Sequence, residues 1–233
     1  MSDRVPVLTI DGPSGAGKGT VSRLLAKRLG WHFLDSGAIY RALAWAVQSR
    51  GVPVDDEEAV TRIATEMVLE FKFGNGVQVW VDGKDVTDHL YTEECGRVAS
   101  RLATFPKVRR ALLAKQRSFR RPPGLVADGR DMGTVVFPDA PYKVYLDASP
   151  EERARRRFLQ LKSQGLDVNL DQIIKDLEQR DRRDRERKEA PLIPAEDAVI
   201  IDSSELSVEE VTKKILALLP GDMAAPSGAV EPR

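Results

Sequence analysis

Short apolar runs alternate along the chain with longer stretches whose apolar residues recur every three or four positions, the two periods that separate strands from helices. Residues 5–10 form such a run, and Val21, Leu24, Leu25 and Leu29 then share one helical face that Gly30 closes. His32–Asp35 predicts a second strand. Residues 36–50 predict a helix with Ile39, Leu43, Ala46 and Val47 on one side, ended by Gly51 and Pro53. Asp55 and Glu58 have capping-box spacing for a further helix carrying Val60, Ile63 and Met67.

The period changes over residues 68–90. Leu69–Phe73 alternates, Asn75-Gly76 predicts a hairpin turn, Val77–Val81 alternates again, and Asp82-Gly83 offers a second turn. Helices are expected over 92–103 and over 106–121, the latter opened by a proline at its first position. Leu125–Asp128 and Tyr142–Asp147 read as strands, and Ser149, Pro150 and Glu152 make a helix start. Two charged arms, 151–163 and 170–188, meet around Gly165 as a helical hairpin ended by Pro191 and Pro194. Residues 198–202 give the last strand, and Ser207 with Glu210 caps a final helix carrying Val211, Ile215 and Leu218. Residues 221–233 have the character of a disordered tail.

Five strands alternating with helices predict an α/β fold with a five-stranded parallel sheet, into which the antiparallel stretch is inserted as a small separate sheet. Ligands of open parallel sheets bind beyond the C-terminal strand ends. Asp128 ends one such strand. The first strand runs directly into Gly12, Pro13, Ser14, Gly15, Ala16, Gly17, Lys18, Gly19 and Thr20, the layout of a phosphate-binding loop. Its glycines let backbone N–H groups turn around phosphate oxygens, the following helix points its positive end at them, and Lys18 adds a full charge. A merely structural glycine-rich turn competes, but strand, spacing, lysine and helix together weigh against it.

The usual pattern places Ser or Thr directly after the lysine to hold Mg²⁺, whereas here Gly19 intervenes before Thr20. Thr20 is therefore expected to bond a phosphate instead, and because Mg²⁺ dehydrates reluctantly and can be held largely by its waters and by phosphate oxygens, the ion is expected through water near Thr20 and Asp128.

Composition narrows the classes. The 233 residues are 42% hydrophobic and 31% charged, ample for one enzyme-sized module. Thirty-six basic residues balance thirty-six acidic ones, so no overall field recruits nucleic acid or an anionic membrane. Cys95 is the sole cysteine, and His32 and His89 lack ligand spacing, which argues against disulfides and zinc. With neither a signal core nor a membrane-length apolar run, a soluble cytoplasmic protein is expected.

Three clusters pair arginine with carboxylate: residues 35–41, residues 128–131 and residues 180–187. Arginine bonds phosphate in bidentate fashion, while carboxylates accept from hydroxyls, amines or metal-bound water. In the first, Ser36 is placed to cap the helix and Arg41 to reach the ligand end one turn on; ordinary capping competes. In the second, Asp128 is a candidate to orient metal-bound water and Arg130 a phosphate ligand. Residues 153–157 taken singly fit a solvated helix face with local ion pairs. Together, two arginine-loaded helices between core strands suggest a lid over transferring phosphates, with an RNA-binding helix as the competing reading. No Ser-His-Asp or Cys-His nucleophile is visible. A phosphate acceptor needs none, because it is already ionised.

Three motifs closely resemble bacterial cytidylate kinases: Ile10-Asp-Gly-Pro-Ser-Gly-Ala-Gly-Lys-Gly-Thr20, Leu34-Asp-Ser-Gly-Ala-Ile-Tyr-Arg41 and Ala127-Asp-Gly-Arg-Asp-Met-Gly-Thr134. The resemblance extends over nearly the whole chain before the tail, including the small sheet, Phe105-Pro-Lys-Val-Arg109 and residues 180–187, and Gly19 is itself the spelling of nucleoside monophosphate kinases. It implies a monomeric P-loop kinase module over 1–220, with a core at 1–36, 122–150 and 190–220, a monophosphate-binding region at 37–121 and a lid at 151–189. It implies Mg²⁺-dependent phosphorylation of CMP and dCMP by ATP, without nucleic-acid or membrane partners. The implied catalytic residues are Lys18, Asp128 and Arg130. Ser36, Arg41, Arg130 and Arg187 are implied toward the acceptor phosphate, Ser100, Arg109 and Asp131 toward cytosine, Arg180 and Asp184 toward the sugar, and Arg153 and Arg157 as lid arginines. A kinase of UMP, AMP or a small metabolite, and a nucleotide-gated RNA-binding or switch protein, are the alternatives.

Overall fold

Strand β1 (Val7–Asp11) has all five residues buried, because it is flanked by a strand on each side and covered on both faces. The computed structural model describes residues 4–73, 77–163, 165 and 167–224. Among these, β1 is the centre of a five-stranded parallel sheet ordered β2-β6-β1-β7-β8, with β2 at His32–Asp35, β6 at Leu125–Asp128, β7 at Tyr142–Asp147 and β8 at Val199–Asp202. The register sets Ile10 opposite Asp128 and Asp11 opposite Tyr145, so the C-terminal ends of β1, β6 and β7 lie side by side. That is the ligand end of a parallel sheet.

Helices α1 (Lys18–Leu29) and α8 (Val208–Leu216) cover the sheet, packing Leu25, Leu29, Val211 and Ile215 on Leu8, Ile10, Val144 and Leu146. Gly30 ends α1 in the left-handed region, and Ser207 with Glu210 forms a reciprocal capping box on α8, both as the spacing predicts. Helices α6 (Pro150–Ser163) and α7 (Leu170–Glu186) pack through Ala154, Leu161, Ile173 and Leu177. The Ser149 hydroxyl caps α6 by accepting from the Glu152 N–H. The short helix α9 (Gly221–Ala224) occupies the start of the stretch read as tail, and the Tyr142 hydroxyl meets Met223 Sδ at 3.7 Å. The remainder of that stretch lies outside the described residues.

The chain divides into two compact units: one drawn from the chain up to Leu34 and from Phe119 onward, the other Asp35–Ser118. The second holds α2 (Ser36–Ser49), α3 (Glu57–Glu66), an antiparallel sheet of β3 (Leu69–Phe73), β4 (Val77–Val81) and β5 (Lys84–Asp85), and helices α4 (Glu93–Leu102) and α5 (Pro106–Arg117). The Asn75-Gly76 turn lies outside the described residues.

Three local expectations are corrected. Asp35, not Ser36, caps α2 by accepting from the Ala38 N–H; the carboxylate one place earlier takes the cap, and Ser36 starts the helix. Asp56, not Asp55, caps α3 through the Ala59 N–H. Helix α5 stops at Arg117 rather than residue 121, ahead of Pro122 and Pro123, which drive preceding residues out of helical geometry. No helix among the described residues is long and apolar enough to cross a membrane.

Candidate active site

The loop from Gly12 to Lys18 is shaped by contacts that only glycine permits. Gly12 adopts φ 146°, and a Cβ there would collide with the Leu146 carbonyl oxygen of β7. Gly17 sits at the N-cap of α1 in the left-handed region, so the helix opens toward the loop. Lys18 begins α1, is buried, and its ammonium donates to the Pro13 carbonyl at 2.8 Å, closing the loop on itself. Burial pushes Lys18 down to about 7; Arg130 acts in the same direction and Asp128 opposes it.

Asp128, the buried last residue of β6, stands beside the loop: its Oδ2 lies 3.3 Å from the position a Cβ on Gly19 would take. Arg130 follows, with Nε donating to Asp184 Oδ2 at 3.0 Å and Nη1 to the Gly129 carbonyl at 3.1 Å. Burial alone would raise Asp184, but Arg130, Arg180 and Arg187 together hold it below the usual carboxylate value. The residues 128–131 and 180–187 clusters are thereby joined, a grouping of guanidinium and carboxylate groups suited to a phosphorylated ligand.

Asp131 is buried at the N-cap of a wide helical turn, Met132–Val136, in which the Val136 and Phe137 N–H groups reach carbonyls five residues back. Such turns occur often at functional sites. Asp11 accepts from the Met132 and Gly133 N–H groups, each at 2.8 Å, and burial lifts its carboxyl to about 7 despite those two bonds.

Arg153 and Arg157 differ sharply. Arg153 is buried: Nε donates to the Ala148 carbonyl at 3.1 Å, while Nη1 reaches the Ser14 carbonyl at 3.1 Å and Asp181 Oδ2 at 2.7 Å. Arg157 donates to Gln160 one turn along its own helix. Arg155 pairs with Glu152 on a solvated face, the ordinary arrangement for such a run. Arg187 is buried just beyond α7, and Arg180 is half-buried within it.

In the second unit, the buried Ser36 hydroxyl donates to Gln116 Oε1 at 2.7 Å, and Arg41 lies 5.9 Å from the Tyr91 ring centre. Arg109 is buried, with Nη1 on the Ala103 carbonyl at 3.2 Å and its guanidinium 5.9 Å from the Tyr40 ring centre. Ser100 is buried, and its hydroxyl has no hydrogen-bond partner among the described residues.

Residues 8–220 match the family model of cytidylate kinase. The chain belongs to the cytidylate kinase family. The cytidylate kinase of Methylococcus capsulatus is 61% identical over 94% of this chain and 99% of its own length. That of Colwellia psychrerythraea is 54% identical over 96% of this chain and all of its own. A shikimate kinase from Acinetobacter baumannii, solved with shikimate, aligns at a TM-score of 0.42 with 20% identity over 92% of each chain.

Sequence reasoning missed four polar residues beside those it named in this family member. Arg156 donates to the Ser203 carbonyl at 2.6 Å and reaches Ala16 of the loop at 3.4 Å, and Ser203 accepts from Arg156 and donates to Ala16 in turn. Arg156 lies one turn beyond Arg153, and Ser203 follows a core strand end, so helical spacing and the strand-end rule were available signals. Gln116 and Asp11 carried none, since their partners are distant in sequence.

The family implies Mg²⁺. Among the described residues no three His, Cys, Asp or Glu side chains could hold a metal. The residues do offer the buried Asp128 carboxylate beside Gly19 and the exposed Thr20 hydroxyl. That donor set fits an ion kept by its own waters and by phosphate oxygens rather than by a protein cage.

Proposed function

We propose that this chain transfers the γ-phosphoryl group of ATP to the phosphate of CMP or dCMP, yielding ADP and CDP or dCDP. The observation that carries the reading is the joining of Lys18, Asp128, Arg130 and Asp184 beside the glycine-rich loop, within a chain of the cytidylate kinase family.

Residues 12–20 hold the ATP phosphates through backbone N–H groups, and Lys18 regains its full charge as phosphate displaces its bond to Pro13. Thr20 and Asp128 would hold Mg²⁺ through water, and the ion would neutralise charge on the phosphate oxygens. Arg130, Arg187, Arg41 and Ser36 hold the acceptor phosphate. One of its ionised oxygens forms the new bond to the γ-phosphorus as the bond to the β–γ bridging oxygen breaks, and that oxygen leaves with ADP. No general base is required, so catalysis rests on alignment and on charge placed in advance by Lys18 and Arg130. Arg153 and Arg157 belong to the helices read as the lid.

Cytosine is chosen by Asp131, Arg109 and Ser100. A carboxylate accepts from the cytosine amino group but faces a carbonyl oxygen in uracil, while arginine and serine donate to ring acceptors. Arg180 and Asp184 serve the sugar. The unpartnered Ser100 hydroxyl supports this reading, since a buried polar group without a partner is costly unless a ligand satisfies it. The enzyme acts as a cytoplasmic monomer.

A coupled assay across nucleoside monophosphates tests the proposal. CMP and dCMP should be phosphorylated far faster than AMP, UMP or small-metabolite alcohols; a faster rate with AMP or with a metabolite alcohol would overturn the assignment. RNA binding without phosphoryl transfer would replace the kinase reading altogether.

A further inference from the structure

Asp11 ends β1 immediately before the phosphate loop, where sequence position groups it with ATP binding. Its hydrogen bonds point elsewhere. Both carboxylate oxygens are engaged, Oδ1 with the Met132 N–H and Oδ2 with the Gly133 N–H, each at 2.8 Å, and the side chain is buried. These are the first two N–H groups of the wide turn Met132–Val136, the orphan donors that every helical start must satisfy.

An aspartate at an N-cap ordinarily supplies that acceptor itself. Asp131 occupies the N-cap here, at φ −147° and ψ 26°, yet makes no side-chain capping bond. Asp11 does so from across the sheet end. The turn is also pressed against the sheet, because a Cβ on Gly133 would lie 3.0 Å from Thr9 Oγ1 and 3.2 Å from Lys143 Cδ. Its position on β1 is thus set by packing below and by the Asp11 clamp at its start.

We infer that Asp11 is a positioning residue for base selection: by capping the turn in place of Asp131, it fixes how the Asp131 carboxylate is presented to the cytosine amino group. The inference rests on the proposed role of Asp131 toward cytosine. Without Asp11, two buried N–H groups lose their acceptor, and the carboxylate best placed to replace it is that of Asp131, at the cap position itself. Turning onto the cap takes Asp131 away from the base. Asp11 thereby ties the root of the donor loop to the choice of acceptor through its bonds to Met132 and Gly133.

The test measures kcat/KM for CMP and UMP, and KM for ATP, in Asp11→Ala, Asp11→Asn, Asp131→Ala and the double variant Asp11→Ala with Asp131→Ala, each checked for folding by thermal melting. Asp11→Ala should lower the CMP-over-UMP ratio on the order of tenfold, the scale of a lost charge-assisted cap, with KM for ATP little changed. Asp11→Asn retains one acceptor oxygen, so it should lower the ratio by less; it carries the test if the alanine variant fails to fold. The double variant should discriminate no worse than Asp131→Ala alone, because both changes remove the same contact. If Asp131→Ala erodes discrimination while both Asp11 variants keep it, or if the Asp11 variants shift only KM for ATP, the inference is overturned and the role of Asp131 stands. If Asp131→Ala leaves the ratio intact, the base assignment itself falls, and this inference with it.

Discussion

The guanidinium of Arg153 lies 2.7 Å from the carboxylate of Asp181, with each side chain only 5% exposed, while the same nitrogen reaches the Ser14 carbonyl of the phosphate loop at 3.1 Å. Helices α6 and α7 are therefore fastened to the loop through one buried ion pair. Breaking such a pair from one side strands a buried charge, at a cost of about 3–5 kcal/mol. Arg153→Ala should destabilise the protein on that scale in denaturant melts and raise KM for ATP. A double-mutant cycle with Asp181→Asn should show strong coupling, and additive effects would contradict the brace.

Lys18 lies near pKa 7 because burial disfavours its charge, with Arg130 adding to the effect. At about pH 8 it is mostly neutral in the ligand-free protein, and phosphate binding must charge it, so ATP should bind with uptake of most of one proton. Calorimetry in buffers of differing ionisation enthalpy reads this directly, and Lys18→Met should abolish the uptake. The stability sign follows from the same depression below the unfolded value of 10.5: the Lys18 contribution is fully present only above 10.5 and is lost progressively as pH falls from there to about 7. An enthalpy independent of buffer would remove Lys18 from this role.

Ser100 buries a hydroxyl with no partner among the described residues. Ser100→Ala should leave the ligand-free melting temperature unchanged or slightly higher, because an unsatisfied buried hydroxyl costs about 1–3 kcal/mol. The same change should weaken CMP binding. Isothermal titration beside thermal melting separates the two effects, and a destabilised protein with normal CMP affinity would make Ser100 structural.

Gly12→Ala should be far more damaging than its added methyl suggests, since the new Cβ meets the backbone carbonyl of Leu146 and the position holds φ 146°. ATP-dependent activity should fall severely; a near-normal rate would show that the loop relaxes around the methyl group.

Much of this arrangement was legible in the sequence wherever the relevant chemistry is local. The loop from Gly12 to Thr20, the strand ending at Asp128 and the Ser207–Glu210 box each declare themselves within a few residues. Competition between adjacent candidates was harder to read: Asp35 and Ser36 are both good caps, and only the Gln116 contact shows where the Ser36 hydroxyl goes. Roles defined by distant partners were not legible at all. Arg156 looks like one more solvated arginine until Ser203 is brought beside it, and Asp11 looks like part of the phosphate motif until Met132 and Gly133 meet it.

The central position of β1 also bears on how the chain is made. Its sheet partners β6 and β7 begin only at Leu125 and Tyr142, whereas Asp35–Ser118 is a continuous stretch that leaves the ribosome complete before either arrives. During synthesis β1 therefore waits with the N–H and C=O groups of both edges unpaired, the condition that invites intermolecular strand pairing. The strand that leads into the donor loop thus stays without its sheet partners until Leu125 and then Tyr142 have been made.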